Sequence, residues 1–114
     1  MKKLIVIFTL IFLAFGFNAC DNYVIPPSGD VYVSFSTSVQ PIFNSDCVSC
    51  HTSRDPILSE GVSHNSLING GYVNTSSPES SSLYQKLLGS HDSRTSTNNK
   101  AIILDWIEAG APND

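Results

Sequence analysis

Positive charge is scarce in this chain: six lysines and arginines stand against ten acidic residues, and the formal charge is −4. Two of the six, Lys2 and Lys3, sit at the extreme N-terminus. No basic patch remains to neutralise a phosphate backbone, which argues against nucleic acid as a partner. Methionine occurs only at Met1 and tryptophan only at Trp106. The cysteines number three, Cys20, Cys47 and Cys50. A structural zinc would need a second Cys-x-x-Cys or His-x-x-His half, and none is present. A thioredoxin-like pair would need a βαβ context, and no strand run of that kind flanks Cys47. Internal repeats and low-complexity tracts are also missing.

What is present begins with an export signal. Lys2 and Lys3 form a positive start, and Leu4 to Phe17 is an apolar run broken only by Thr9 and Gly16. The run is shorter than the roughly 20 residues a bilayer span needs. Phe17-Asn18-Ala19-Cys20 places a small residue before a cysteine, as a bacterial lipobox does, although leucine is commoner where Phe17 stands. Residues 1–19 are therefore expected to be a lipoprotein signal peptide and Cys20 the lipidated residue; simple cleavage and an uncleaved anchor are the alternatives. A diacylated Cys20 carries enough acyl chain for stable membrane attachment. This implies an extracytoplasmic, membrane-anchored protein on the periplasmic or outer-membrane side.

Processing would leave four basic and ten acidic residues, a formal charge of −6. That acidity reads as a soluble surface, or as a complement to a basic docking face on a partner. Residues 20–35 contain Pro26-Pro27-Ser28-Gly29 and read as a tether from the lipid to a domain at 36–114. The alternation over Val31-Tyr32-Val33-Ser34-Phe35 has strand period but no partner, and suggests a segment lying across the domain.

The domain itself has helical punctuation. Ser38 is placed to cap a helix with Pro41 in its first turn and Val39, Ile42 and Phe43 on one face. A short helix is expected from His64 to Asn69, stopped by Gly70-Gly71. Ser77-Pro78-Glu79 reads as a helix start, with Leu83, Tyr84, Leu87 and Leu88 on one face up to Gly89. The strongest pattern comes last: Thr97 as cap, Ile102, Ile103, Trp106 and Ile107 on one stripe, Gly110 as stop and Pro112 beyond it. The expected class is all-α, with three to five short helices.

The first helix leads into Cys47-Val48-Ser49-Cys50-His51. C-x-x-C-H is the spacing of covalent c-type haem attachment: each thiol can add to a vinyl group while the adjacent histidine binds the iron. A domain of about 80 residues is marginal in water, and one haem would give its short helices an apolar disc to pack against. Without it the chain is expected to fold poorly.

In this order of elements the chain resembles the small class I cytochrome c domain, closest to bacterial lipoprotein and periplasmic forms. The likeness rests on Val39-Gln40-Pro41-Ile42-Phe43 before the motif and on Trp106-Ile107-Glu108-Ala109-Gly110-Ala111 near the end. It implies that Cys47 and Cys50 form the thioethers, that His51 is the proximal iron ligand, and that Phe43 and Trp106 pack against the haem edge. Tyr72, Arg94 and Ser80 to Ser82 become candidates for hydrogen bonds to the propionates. One departure matters. The family's usual sixth ligand is a methionine before the last helix, and Thr95 stands about there. His91, His64, Lys100 or an open position remain for the distal side. Ser90-His91-Asp92 is no hydrolase triad, because contiguous residues do not supply that geometry.

The function these features imply is a lipid-anchored monohaem cytochrome that carries single electrons between membrane-associated redox proteins and is not itself an enzyme. The alternative is a haem-based small-ligand sensor or peroxidase-like protein with an open sixth position. A third reading is a haem-carrying accessory domain of a larger membrane complex.

Overall fold

Ser34 starts the helical part of the chain by accepting a hydrogen bond from the Thr37 amide at 3.2 Å. The computed structural model describes residues 32–114, and among these there are helices and turns but no strand. A π-type turn, Phe35–Val39, runs directly into helix α1, Gln40–Asp46. Helical backbone therefore begins ahead of Ser38, the expected cap. The Gln40 amide donates to the Phe35 carbonyl, and Pro41, next in line, has no N–H to give. The wide turn thus takes up the bonding that Pro41 lacks.

Helix α2, Ser63–Asn69, ends where Gly70-Gly71 predicts. Gly71 has φ +71°, and the Tyr72 amide closes back onto the Leu67 carbonyl at 3.0 Å, an ending that favours glycine. Downstream the expected helix from Ser77 is only a 3₁₀ turn, Pro78–Ser80, and helix α3 starts later, at Ser82–Leu88. Ser81 interrupts them because its side chain is buried and accepts the Asn74 amide at 2.9 Å, while the Leu83 amide bonds the Tyr72 carbonyl at 3.0 Å. A second 3₁₀ turn, Asp92–Arg94, precedes helix α4, Thr97–Glu108. Ser96, not Thr97, caps α4 by accepting the Asn99 amide. Gly110, at φ +93°, ends the helix as expected.

The core forms where the Phe35–Val39 turn and α1 meet α4, with Leu83 and Leu87 of α3 and Leu67 of α2 closing it. Trp106 is fully buried and donates its indole N–H to the Pro112 carbonyl at 3.0 Å. Phe35 lies on it at 5.2 Å between ring centroids, and His64 meets both rings nearly edge-on. Val33 and Phe35 are themselves buried, so the folded unit includes residues assigned above to the tether. Asp114 fixes this segment: its carboxylate accepts the Tyr32 hydroxyl at 2.7 Å and the Phe35 and Ser36 amides at 2.6 and 3.2 Å. The 32–35 stretch does lie across the domain, pinned there by the last residue of the sequence. The segments expected to be signal peptide and tether, with Cys20, lie outside the described residues up to position 31. Among those described, no helix is long and apolar enough to cross a membrane.

Candidate functional site

The Cys47–His51 run is a hydrogen-bonded turn that follows α1 directly. The Cys50 and His51 amides donate to the Cys47 carbonyl, both at 3.1 Å, and the Cys47 amide donates to the Phe43 carbonyl at 3.0 Å. Positions i, i+3 and i+4 share one face of such a turn. Cys47, Cys50 and His51 accordingly line one cavity of about 480 Å³, within the size range of small-molecule and cofactor sites. Both thiols are free. Cys47 is half-buried, and desolvation, reinforced by Asp46, pushes its thiol up to about 11. It therefore keeps its proton near neutral pH.

His51 is held by the loop that follows it. Its Nδ1 lies 2.9 Å from the Pro56 carbonyl and 3.1 Å from the Arg54 carbonyl. Carbonyl oxygens only accept, so Nδ1 carries a proton, and in the neutral ring the tautomer so selected is the one with its lone pair on Nε2. This is the arrangement that orients and tunes a metal-binding imidazole. Gln40, buried in α1, anchors the loop: its amide N–H donates to the Leu58 carbonyl at 3.1 Å and its carbonyl accepts the Ser63 hydroxyl. In the sequence the only signal for Gln40 is a polar residue set among the apolar Val39, Ile42 and Phe43.

His91 forms part of the same cavity wall, carried by the turn after α3. Its ring centroid is 6.4 Å from that of His51. A metal–imidazole bond is about 2 Å and a ring nitrogen lies about 1.1 Å from its ring centre, so two imidazoles on opposite sides of one ion need roughly 6 Å. The 47° between the ring planes is compatible with this, since each ring can rotate about its own bond to the ion. No group of three or more His, Cys, Asp or Glu among the described residues could hold a metal by itself.

The chain matches no family model, no curated protein and no solved structure. Its residues alone describe the site.

The remaining wall is largely apolar, with Phe43 from α1, Leu58 from the loop, and Leu83 and Leu87 from α3. Arg54, Lys86 and Arg94 also line it, as do Tyr72 and Ser82. These three are all the described basic residues except Lys100. Thr95, at the place expected for a methionine, is on the wall with its hydroxyl bonded to the Asp46 carboxylate at 2.5 Å. The Ser45 hydroxyl first, and then Thr95, lower the Asp46 carboxyl below its ordinary value.

One expected placement, Trp106, needs correction, and several of the other candidates lie off the cavity wall. Trp106 is not on the cavity wall; the bond to Pro112 and the stack on Phe35 hold it in the core behind. His64 is also off the wall, with Nε2 against the Ala111 carbonyl at 2.9 Å. Of the Ser80 to Ser82 cluster only Ser82 lines the cavity, because Ser81 is bonded to Asn74 and the Ser80 hydroxyl donates to the Ser77 carbonyl. Lys100 is absent from the wall as well, its ammonium being bonded to Asp92.

Proposed function

We propose that this chain is a lipid-anchored c-type cytochrome, carrying one covalent haem in the cavity and passing single electrons between membrane-associated redox proteins. The observation that carries the reading is the pairing of His51 and His91 at 6.4 Å across a cavity that also holds Cys47 and Cys50. The donor set fits the group: two thiols, one imidazole whose Nδ1 is engaged by carbonyls, a second imidazole 6.4 Å from the first, and an apolar lining. Haem, when bound, supplies the one-electron chemistry.

The chain's own residues do the rest. Cys47 and Cys50 would hold a haem as thioethers, each S–H adding to a vinyl group with its hydrogen ending on carbon. His51, oriented by the Pro56 carbonyl, would offer Nε2 to the iron, and His91 would be the second nitrogen donor. Phe43, Leu58, Leu83 and Leu87 make the lining apolar and keep water from it. Arg54, Lys86 and Arg94 supply positive charge for the two propionates, with the Tyr72 hydroxyl as a further donor. An imidazole in place of methionine lowers the reduction potential. The second ligand also favours electron transfer over small-ligand sensing, because it fills the position a ligand would need.

The test is made on the holoprotein from an export-competent host. Haem should stay with the polypeptide through acid–acetone extraction, and the alkaline pyridine spectrum should be of the two-thioether type. Extractable haem would overturn the attachment. Cys47→Ala with Cys50→Ala should abolish retention. Anchoring is tested in the same host: metabolic acyl labelling should mark the wild type and be lost in Cys20→Ser, and label persisting in that variant would refute Cys20 as the acceptor.

A further inference from the structure

Lys100 is buried in α4 with its side chain only 9% exposed. A buried ammonium is tolerated only where its N–H groups find acceptors. Here Nζ donates to the Asp92 backbone carbonyl at 2.8 Å and to the Asp92 carboxylate as well. Asp92 is the residue after His91. Other bonds shape the turn itself: the Asp92 amide donates to the Gly89 carbonyl at 3.0 Å, the Arg94 amide donates to the His91 carbonyl at 2.9 Å, and the Ser90 hydroxyl lies 3.1 Å from His91 Nδ1. The His91 amide joins the turn to the end of α3 through the Lys86 carbonyl at 2.9 Å. Helix α4 holds the segment at two points, through Lys100 on Asp92 and, four residues past His91, through Asn99 on Thr95, which also bonds Asp46 of α1. Of these, the Lys100 tie falls on the residue next to His91.

We propose that Lys100 is the positioning residue that holds His91 in register with His51 and so keeps the sixth iron position closed to small ligands. The proposal rests on the haem reading and specifies which residue decides between electron carrier and ligand binder. A ligand donated from a turn needs placement to about half an ångström, and only support from a rigid element gives it that. Helix α4 is such an element, held through Trp106 and Ile107 in the core.

The experiment uses full-length holoprotein and compares the wild type with Lys100→Met, Lys100→Arg, Asp92→Ala and His91→Ala. The readouts are the optical spin state and the rate of carbon monoxide binding to reduced protein. Lys100→Met should be partly high-spin and bind carbon monoxide roughly 10–100-fold faster, the range for loss of a group that orients a metal ligand. Free imidazole should return it to low spin, and Lys100→Arg should restore much of the wild-type rate. Asp92 is 68% exposed, so Asp92→Ala opens no cavity in the core and leaves Lys100 Nζ its bond to the backbone carbonyl; it should shift both readouts in the same direction by less. A Lys100 that serves only stability would lower the unfolding midpoint while leaving spin state and rate unchanged in both variants, and this would overturn the proposal. If the wild type is already high-spin and His91→Ala changes nothing, ligation by His91 fails and the positioning role with it. If His91→Ala becomes high-spin while the Lys100 and Asp92 variants do not, only the positioning role fails.

Discussion

His51 and His91 stand 6.4 Å apart between ring centroids, the first on the turn that follows α1 and the second on the turn after α3. Forty residues separate them in sequence, and neither shares a helix with the other. The wild-type holoprotein should therefore be low-spin, without a methionine-to-iron charge-transfer band. His91→Ala should be high-spin. His64→Leu should keep the wild-type spectrum, because His64 faces Phe35 and Trp106 rather than the cavity. A spectral change in His64→Leu equal to that in His91→Ala would contradict this assignment of the distal side.

Gln40→Ala should destabilise the holoprotein by about 1–3 kcal/mol, the cost of leaving buried hydrogen-bonding groups without partners. The change deprives the Leu58 carbonyl and the Ser63 hydroxyl of the same side chain. A chemical denaturation midpoint indistinguishable from wild type would show that the loop behind His51 does not depend on α1.

Acid should release the N-terminal segment before the rest. The Tyr32 hydroxyl first, with further hydrogen bonds from Ser34, Ser36 and Phe35, holds the Asp114 side-chain carboxyl down to about 2. A carboxyl lowered in the fold contributes stability above its unfolded value, about 3.9, and loses it as pH falls towards the folded one. The difference in melting temperature between wild type and Asp114→Asn should thus be positive at pH 7 and shrink between about pH 4 and 2. A difference that stays constant over that window would mean that the carboxylate charge plays no part.

Much of this protein was readable from local pattern. Pro41, Gly71 and Gly110 mark helix boundaries through backbone restrictions that act within a few residues, so the α-class and most element positions follow from sequence. The starts at Ser34 and Ser82 did not, because a buried Ser81 and the bonding upstream of Pro41 outweighed the nominal caps at Ser77 and Ser38. The amphipathic stripe of the last helix was legible too. The destination of Trp106 was not, since periodicity says that a side chain is buried and not what it is buried against.

The sequence by itself determined the chemistry of one wall of the site. Cys47, Cys50 and His51 fall on one face whatever the rest of the chain does, because a helical turn brings i, i+3 and i+4 together. The opposite wall is a different matter. His64, His91 and Lys100 were all eligible from their residue types, and only the packing of α3 and α4 turned His91 inward, tied Lys100 to Asp92 and left His64 beside Trp106. Which side chain crosses a cavity depends on contacts between segments distant in sequence, and no local spacing encodes those distances.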